Sequence, residues 1–145
     1  MLEVKFYTAV EDELLAFAVI VAKYKDKWVF CKHKDRSTYE VPGGRREKGE
    51  EILETAKREL FEETGAVEYD LRPIAIYSVT GKDGGIVQPM ESYGMLYYAT
   101  IYRFDSLPEY EIEEIVLMED YPENWTYPLI QPFLMERVLS VINNS

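Results

Sequence analysis

The chain has 145 residues, 47% hydrophobic and 14% aromatic, enough for a proper core and too apolar for a disordered chain. Its 27 acidic residues outnumber 16 basic ones, and the net charge of −11 argues against stable nucleic-acid binding but not against a small anionic ligand held beside a metal ion. No apolar run reaches the roughly 18 residues of a membrane span, the opening MLEVKFYT lacks the pattern of a signal peptide, and the single cysteine excludes an intrachain disulfide. These bounds predict one domain over residues 1–145, in a reducing cytoplasm.

Residues 2–8 alternate in polarity and read as a strand. Residues 14–24 hold the run AFAVIVA, a buried strand. Asp26 and Lys27 read as a hairpin turn into a strand over residues 28–33. Cys31 lies there in the run WVFC as a buried, inert thiol. His33 is the only histidine, so a zinc site built on several His or Cys ligands is not available within one chain. Residues 34–38 form a polar loop, and Tyr39, Glu40 and Val41 a short strand. Pro42, Gly43 and Gly44 read as a turn where backbone can approach a ligand closely. Gly49 serves as N-cap of a helix, with Glu50 and Glu51 in its first turn. Ile52, Leu53, Ala56 and Leu60 recur at helical spacing as its buried face, and Gly65 ends it. Residues 67–80 read as one or two strands, 81–85 as a turn-rich loop, 93–104 as a central strand and 115–118 as a short one. Residues 129–142 carry Ile130, Phe133, Leu134, Val138 and Val141 on the core face of a last helix. Strands on both sides of one helix, with a second helix at the end, imply an α/β fold with a mixed sheet between helices.

The first helix carries the chemistry. Glu59, Glu62 and Glu63 fall at i, i+3 and i+4, which places three carboxylates on one face with Cβ atoms within about 6 Å. A solvated face is the ordinary fate of such a cluster. Two features argue otherwise. Arg58, the base just inside the cluster, is placed by its spacing around the helix from the three. The cluster also sits at the helix C-terminus, where the macrodipole disfavours negative charge. A cation on that face resolves both, and carboxylate oxygens suit a hard ion, Mg²⁺ or Mn²⁺, the usual partner of a polyphosphate.

Residues 44–66 resemble the Nudix box, G-x5-E-x7-R-E-U-x-E-E-x-G-U, with U bulky and aliphatic. Gly44, Glu50, Arg58, Glu59, Glu62, Glu63 and Gly65 occupy its polar and glycine positions, Leu60 its first U, and Ala66, a smaller residue than the pattern prefers, its second. The resemblance implies the Nudix fold, an α/β/α sandwich with a mixed β-sheet. It also implies metal-dependent cleavage of a phosphoanhydride in a nucleoside diphosphate-linked substrate. By residue-wise carry-over, Glu59 is a metal ligand and general base, Glu62 and Glu63 are metal ligands, and the Gly43 carbonyl is a further one. Arg58 pairs with Glu50 and orients the glutamates.

The segment Tyr39-Glu40-Val41-Pro42-Gly43-Gly44 is similar to the W/Y-E-F-P-G-G entry of family members that hydrolyse nucleoside triphosphates, oxidised ones included. His33-Lys34-Asp35-Arg36 resembles the H-x-D-R segment of a bacterial subgroup associated with 8-oxo-dGTP and RNA 5′-ends. The expected reaction is thus a nucleoside triphosphate cleaved to monophosphate and pyrophosphate. The same chemistry on an RNA 5′-end, dinucleotide or nucleotide sugar, and a non-catalytic nucleotide sensor, are the alternatives. Lys34 and Arg36 are candidate phosphate contacts and Tyr39 a candidate base-stacking ring. One of Glu111, Glu113 and Glu114 is a candidate for an added ligand or base.

Overall fold

The computed structural model describes residues 2–83, 86–108 and 112–143, with Asp83, Ile86 and Glu113 described by backbone alone. The elements are β1 (Glu3–Tyr7), β2 (Leu15–Tyr24), β3 (Lys27–His33), β4 (Gly43–Arg45), α1 (Ile52–Thr64), β5 (Ala66–Asp83), β6 (Ile86–Phe104), β7 (Ile112–Met118) and α2 (Gln131–Ile142). The strands form one seven-stranded sheet in the order β1-β5-β6-β2-β3-β7, with β4 paired to β2. The β2–β6 pairing is parallel and the remaining ones antiparallel, so the sheet is mixed. Strands β2 and β6 carry buried side chains on both faces and lie at its centre, where parallel neighbours belong.

Alternation along the central strands sorts two cores. Ala18, Ile20 and Ala22 of β2 and Ala99 and Ile101 of β6 face α1, which meets them with Ala56 and Leu60. The small residues on this face let the helix lie close to the sheet. Val21, Phe30 and Leu96 face the other way, against Leu134, Met135 and Val138 of α2. One helix on each face makes the expected α/β/α sandwich.

One edge of β2 is shared. Its second half pairs with β3 (Ala22 opposite Val29) and its first half with β4 (Ala18 opposite Gly44). The strands beside it therefore part company, and β4 is brought under the C-terminal half of α1.

Several local expectations are corrected. The hairpin turn falls on Lys25 and Asp26, both at positive φ (47° and 68°), one residue earlier than the polar pair suggested. Tyr39 and Glu40 make only isolated bridges, to Trp125 and Cys31, and the strand lies instead at Gly43–Arg45. Two glycines and a proline read as a turn in isolation; pairing with β2 overrides that propensity. Gly49, at φ 81°, belongs to the turn before α1, and the N-cap is Glu51, which closes a capping box with Glu54. Leu53 and Phe133 point outward (42% and 55% exposed), and Thr55 and Met135 take the buried places. The buried stripes also take polar Thr55, Glu63 and Thr64 in α1 and Gln131 in α2, so the rotation at which each helix docks on the sheet, which spacing alone does not give, decides which apolar residues are left out. Residues 81–83, expected in a loop, extend β5, while 84 and 85 of that loop lie outside the described residues.

Candidate active site

The last turns of α1 lie over β4, and both glycines of β4 shape what happens there. A Cβ on Gly44 would fall 2.0 Å from Glu59 Oε2. Only a bare backbone lets that carboxylate rest on the strand. Along β4, Ile20 N–H donates to the Pro42 carbonyl (2.9 Å), so the next residue, Gly43, turns its own N–H and C=O away from β2. Its N–H donates to Glu63 Oε1 at 2.9 Å. Glu63 is buried and its helix neighbour Glu62 half-buried. The αL residue Gly65 stops the helix just after them, its N–H donating to Phe61 O at 2.8 Å.

Arg58 gathers the acidic residues. Its Nε donates to Glu50 Oε2 (2.7 Å) and its Nη2 to Glu50 Oε1 (3.1 Å) and to the Arg45 carbonyl (2.9 Å). Its Nη1 reaches Glu59 Oε1 (3.1 Å) and Glu62 Oε2 (3.3 Å). Arg58 is therefore not turned away from the glutamates, as its spacing suggested; the long side chain reaches around the helix and offsets part of their repulsion. Glu50 also accepts the Glu47 N–H (3.0 Å) and the hydroxyl of fully buried Thr55 (2.7 Å). The Arg58 guanidinium holds the Glu50 carboxyl down at about 2, against the opposing pull of desolvation. The same pairing raises Arg58 above its ordinary value.

Among the described residues, no group of three or more His, Cys, Asp or Glu side chains is already converged as a metal-binding set. The donor chemistry nonetheless fits a hard cation. Glu59, Glu62 and Glu63 offer only oxygens, Gly44 leaves the cradle a Cβ would fill, and the Gly43 carbonyl faces away from its sheet partner. Arg58 Nη1, between Glu59 and Glu62, is the group that has to yield.

Next to this helix stands a second polar group. Glu40, buried, faces Arg36 Nη1 (3.0 Å) and His33 Nε2 (3.4 Å), and His33 lies 3.7 Å from Glu63 Oε2. The Arg36 guanidinium lies 5.9 Å from the centre of the Tyr127 ring. Tyr127 and Glu40 line a cavity of about 450 Å³ that opens beside Gly43 and Gly44 and runs between β2 and the start of α2. Of the sequence-predicted substrate contacts, Arg36 reaches this rim through Tyr127. Lys34 is exposed in the turn after β3, and Tyr39 packs into the core on the α2 side. Glu114 is exposed, opposite Lys32 in the β3–β7 register. Glu111 and the side chain of Glu113 lie outside the described residues. Cys31 is buried with its thiol toward the Glu63 carbonyl (3.4 Å), and burial pushes its pKa well up.

Spacing along the chain had no means of finding Thr55, Glu40, Gln131 or the cavity. Gln131 is 6% exposed and its Oε1 accepts the Val41 N–H at 2.9 Å, a contact between residues 90 apart in sequence. A polar residue in the inward stripe of an apolar helix was the available signal for Gln131.

Comparison with known proteins adds three findings. The sequence model of the NUDIX domain family matches residues 13–126. The chain is 36% identical over 106 residues to a Bacillus subtilis (strain 168) protein named "Putative 8-oxo-dGTP diphosphatase YtkD"; the match covers 72% of this chain and 63% of that one. In structure it resembles the Bacillus subtilis pyrophosphohydrolase BsRppH (TM-score 0.77, 23% identity, 97% of this chain and 90% of that one). It also resembles a NUDIX hydrolase from Nitrosomonas europaea (TM-score 0.69, 19% identity, 86% and 88%).

Proposed function

The chain belongs to the Nudix family, and from that premise we propose that it is a divalent-metal-dependent hydrolase of nucleoside triphosphates, releasing a monophosphate and pyrophosphate. The observation that carries this reading is the packing of Glu59 and Glu63 onto the two glycines of β4, at the mouth of a nucleotide-sized cavity. The relative named for 8-oxo-dGTP supports a nucleotide substrate.

In this reading Glu59, Glu62, Glu63 and the Gly43 carbonyl would hold Mg²⁺ or Mn²⁺, and such an ion would supply charge to the phosphoryl oxygens and acidity to the attacking water. Glu59 accepts the proton of that water as its oxygen bonds to phosphorus and the bridging oxygen leaves with pyrophosphate. Glu50 and Arg58 keep the helix end in place, and Arg58 would have to release Glu59 and Glu62 for them to hold an ion. Arg36, at the rim, is the basic side chain we assign to the substrate phosphates.

The test is turnover of a nucleotide panel with and without exhaustive chelation, alongside Glu59→Gln. Chelation should abolish activity and Mg²⁺ restore it. The substitution keeps shape and removes a ligand charge and the base, so kcat should fall about 10²–10⁴-fold with the melting temperature little changed. Full turnover under chelation, or in the variant, would sink the assignment.

A further inference from the structure

We infer that Arg46 is a positioning residue of the active site: it holds the loop from which Glu50 reaches Arg58, and so fixes how Arg58 is shared among the glutamates. Its effect on turnover rests on the reading above; its geometry does not. Arg46 falls among the five positions that the box pattern leaves open. Its backbone N–H donates to the Ala16 carbonyl at 2.8 Å, just past the β4–β2 pairing. Its side chain, 18% exposed, divides its guanidinium between two segments. Nε donates to the Glu50 carbonyl (2.6 Å). Nη1 donates to the carbonyls of Asp12 (2.8 Å) and Leu15 (3.3 Å), and Nη2 to Asp12 Oδ2 (2.8 Å). The 3₁₀ turn at Asp12–Leu14 is thereby fastened to the loop before α1.

Packing does not hold this loop. Glu47, Lys48 and Gly49 are exposed, and a Cβ on Gly49 would meet nothing within 4 Å. The Glu50 N–H donates to the Glu47 carbonyl (3.1 Å), a bond internal to the loop. Glu50 precedes the N-cap, so its own carbonyl has no place in the α1 ladder, and Arg46 supplies the donor. The ties to α1 run through Thr55 and through Arg58, which meets Glu50, Glu47 (3.6 Å) and the Arg45 carbonyl. Arg58 is also the group drawn toward Glu59 and Glu62. With the loop fixed by Arg46, Glu50 stays in reach and keeps Arg58 while Nη1 lets the two glutamates go. With the loop free, Glu50 turns to water and Arg58 settles on Glu59 and Glu62, occupying carboxylates that a divalent ion needs. The task calls for a fork: a lysine ammonium could bond one of these acceptors but not span both segments.

The measurement is the rate at which the Arg58 Nε–H exchanges with solvent, read by NMR in the wild type, Arg46→Leu and Arg46→Lys. Both variants should speed it by about tenfold or more while the backbone amides of β2 keep their rates. A general loss of stability would speed the two together. Turnover gives a second reading. In Arg46→Leu kcat should fall roughly 10–10²-fold with KM within about twofold, the mark of a displaced group and not of a lost substrate contact. In a Glu50→Gln background the same substitution should cost less than about a further twofold in kcat, because the carboxylate it positions is already gone. Unchanged Arg58 exchange in both variants, exchange that rises only in step with the β2 amides, or a kcat loss that multiplies fully with that of Glu50→Gln would overturn the inference. The exchange measurement needs no substrate: a protein that cleaves no nucleoside triphosphate refutes the proposed reaction, and Arg58 exchange still decides the role of Arg46.

Discussion

At the scale of single residues, Glu50 shows how one carboxylate can hold a site together without touching its chemistry. It takes two bonds from Arg58, one from Thr55 and one from the Glu47 N–H. Its folded-state value of about 2, against an ordinary 4.5, makes it a source of acid sensitivity. The folded protein favours the ionised form, so this contribution is complete above pH 4.5 and is lost as pH falls toward 2. Melting temperature measured against pH should therefore fall through that window. In Glu50→Gln the fall should be shallower, from a lower starting stability at neutral pH. Identical acid limbs in the two proteins would show that the Glu50–Arg58 pair does not couple to folding. The arginine–glutamate pairing was expected from the box, whereas the role of Thr55 was invisible. Nothing in a threonine within a helix says that its hydroxyl turns toward a glutamate five residues back.

At the scale of elements, α1 depends on how it ends. Its last turn carries acidic residues and no basic one, so the macrodipole works against it. Gly65 compensates by taking φ 80° and returning its N–H to Phe61 O, and the Gly65 carbonyl accepts Asp105 N–H at 2.8 Å. A Cβ there would sit 2.7 Å from the Asp105 carbonyl. Gly65→Ala thus combines a left-handed backbone with a backbone clash and should cost about 2 kcal/mol or more in a denaturant titration. Activity should drop further than stability alone explains, because Glu62 and Glu63 ride on that turn. A fully active, equally stable variant would mean that the helix end relaxes without moving the glutamates. Gly65 was legible as a terminator from sequence. The start of the same helix was misplaced: Gly49, expected as N-cap, lies in the turn before it, and Glu51, expected in the first turn, is the N-cap that closes a capping box with Glu54.

At the scale of the whole molecule, two cores share one sheet, and the site draws on both. Glutamates come from the helix on one face, and the cavity lies against the helix on the other. Leu134 is fully buried in the second core and also lines the cavity. Leu134→Ala should cost about 2–5 kcal/mol of stability. Well below its melting temperature it should raise KM through a looser cavity while leaving kcat within about threefold, since it makes no contact with the box glutamates. An unchanged KM with a collapsed kcat would place the substrate elsewhere.

The sequence by itself determined what depends on short spacing. Two helices and the main strands, the carboxylate face of α1 and the glycine that stops it are written in i, i+3, i+4 and alternating patterns, because neighbours along the chain set them. The family was legible for the same reason: the box lies within 23 consecutive residues. Tertiary structure alone decided what depends on distant segments meeting. Pairing with β2 turned an apparent Pro-Gly-Gly turn into β4, and the rotation at which each helix docks on the sheet left Leu53 and Phe133 outside. Arg58 was brought back onto the glutamates by the reach of its own side chain, which spacing around a helix does not report. Val41 met Gln131 across 90 residues because closing a buried backbone N–H requires an acceptor, wherever in the chain it comes from.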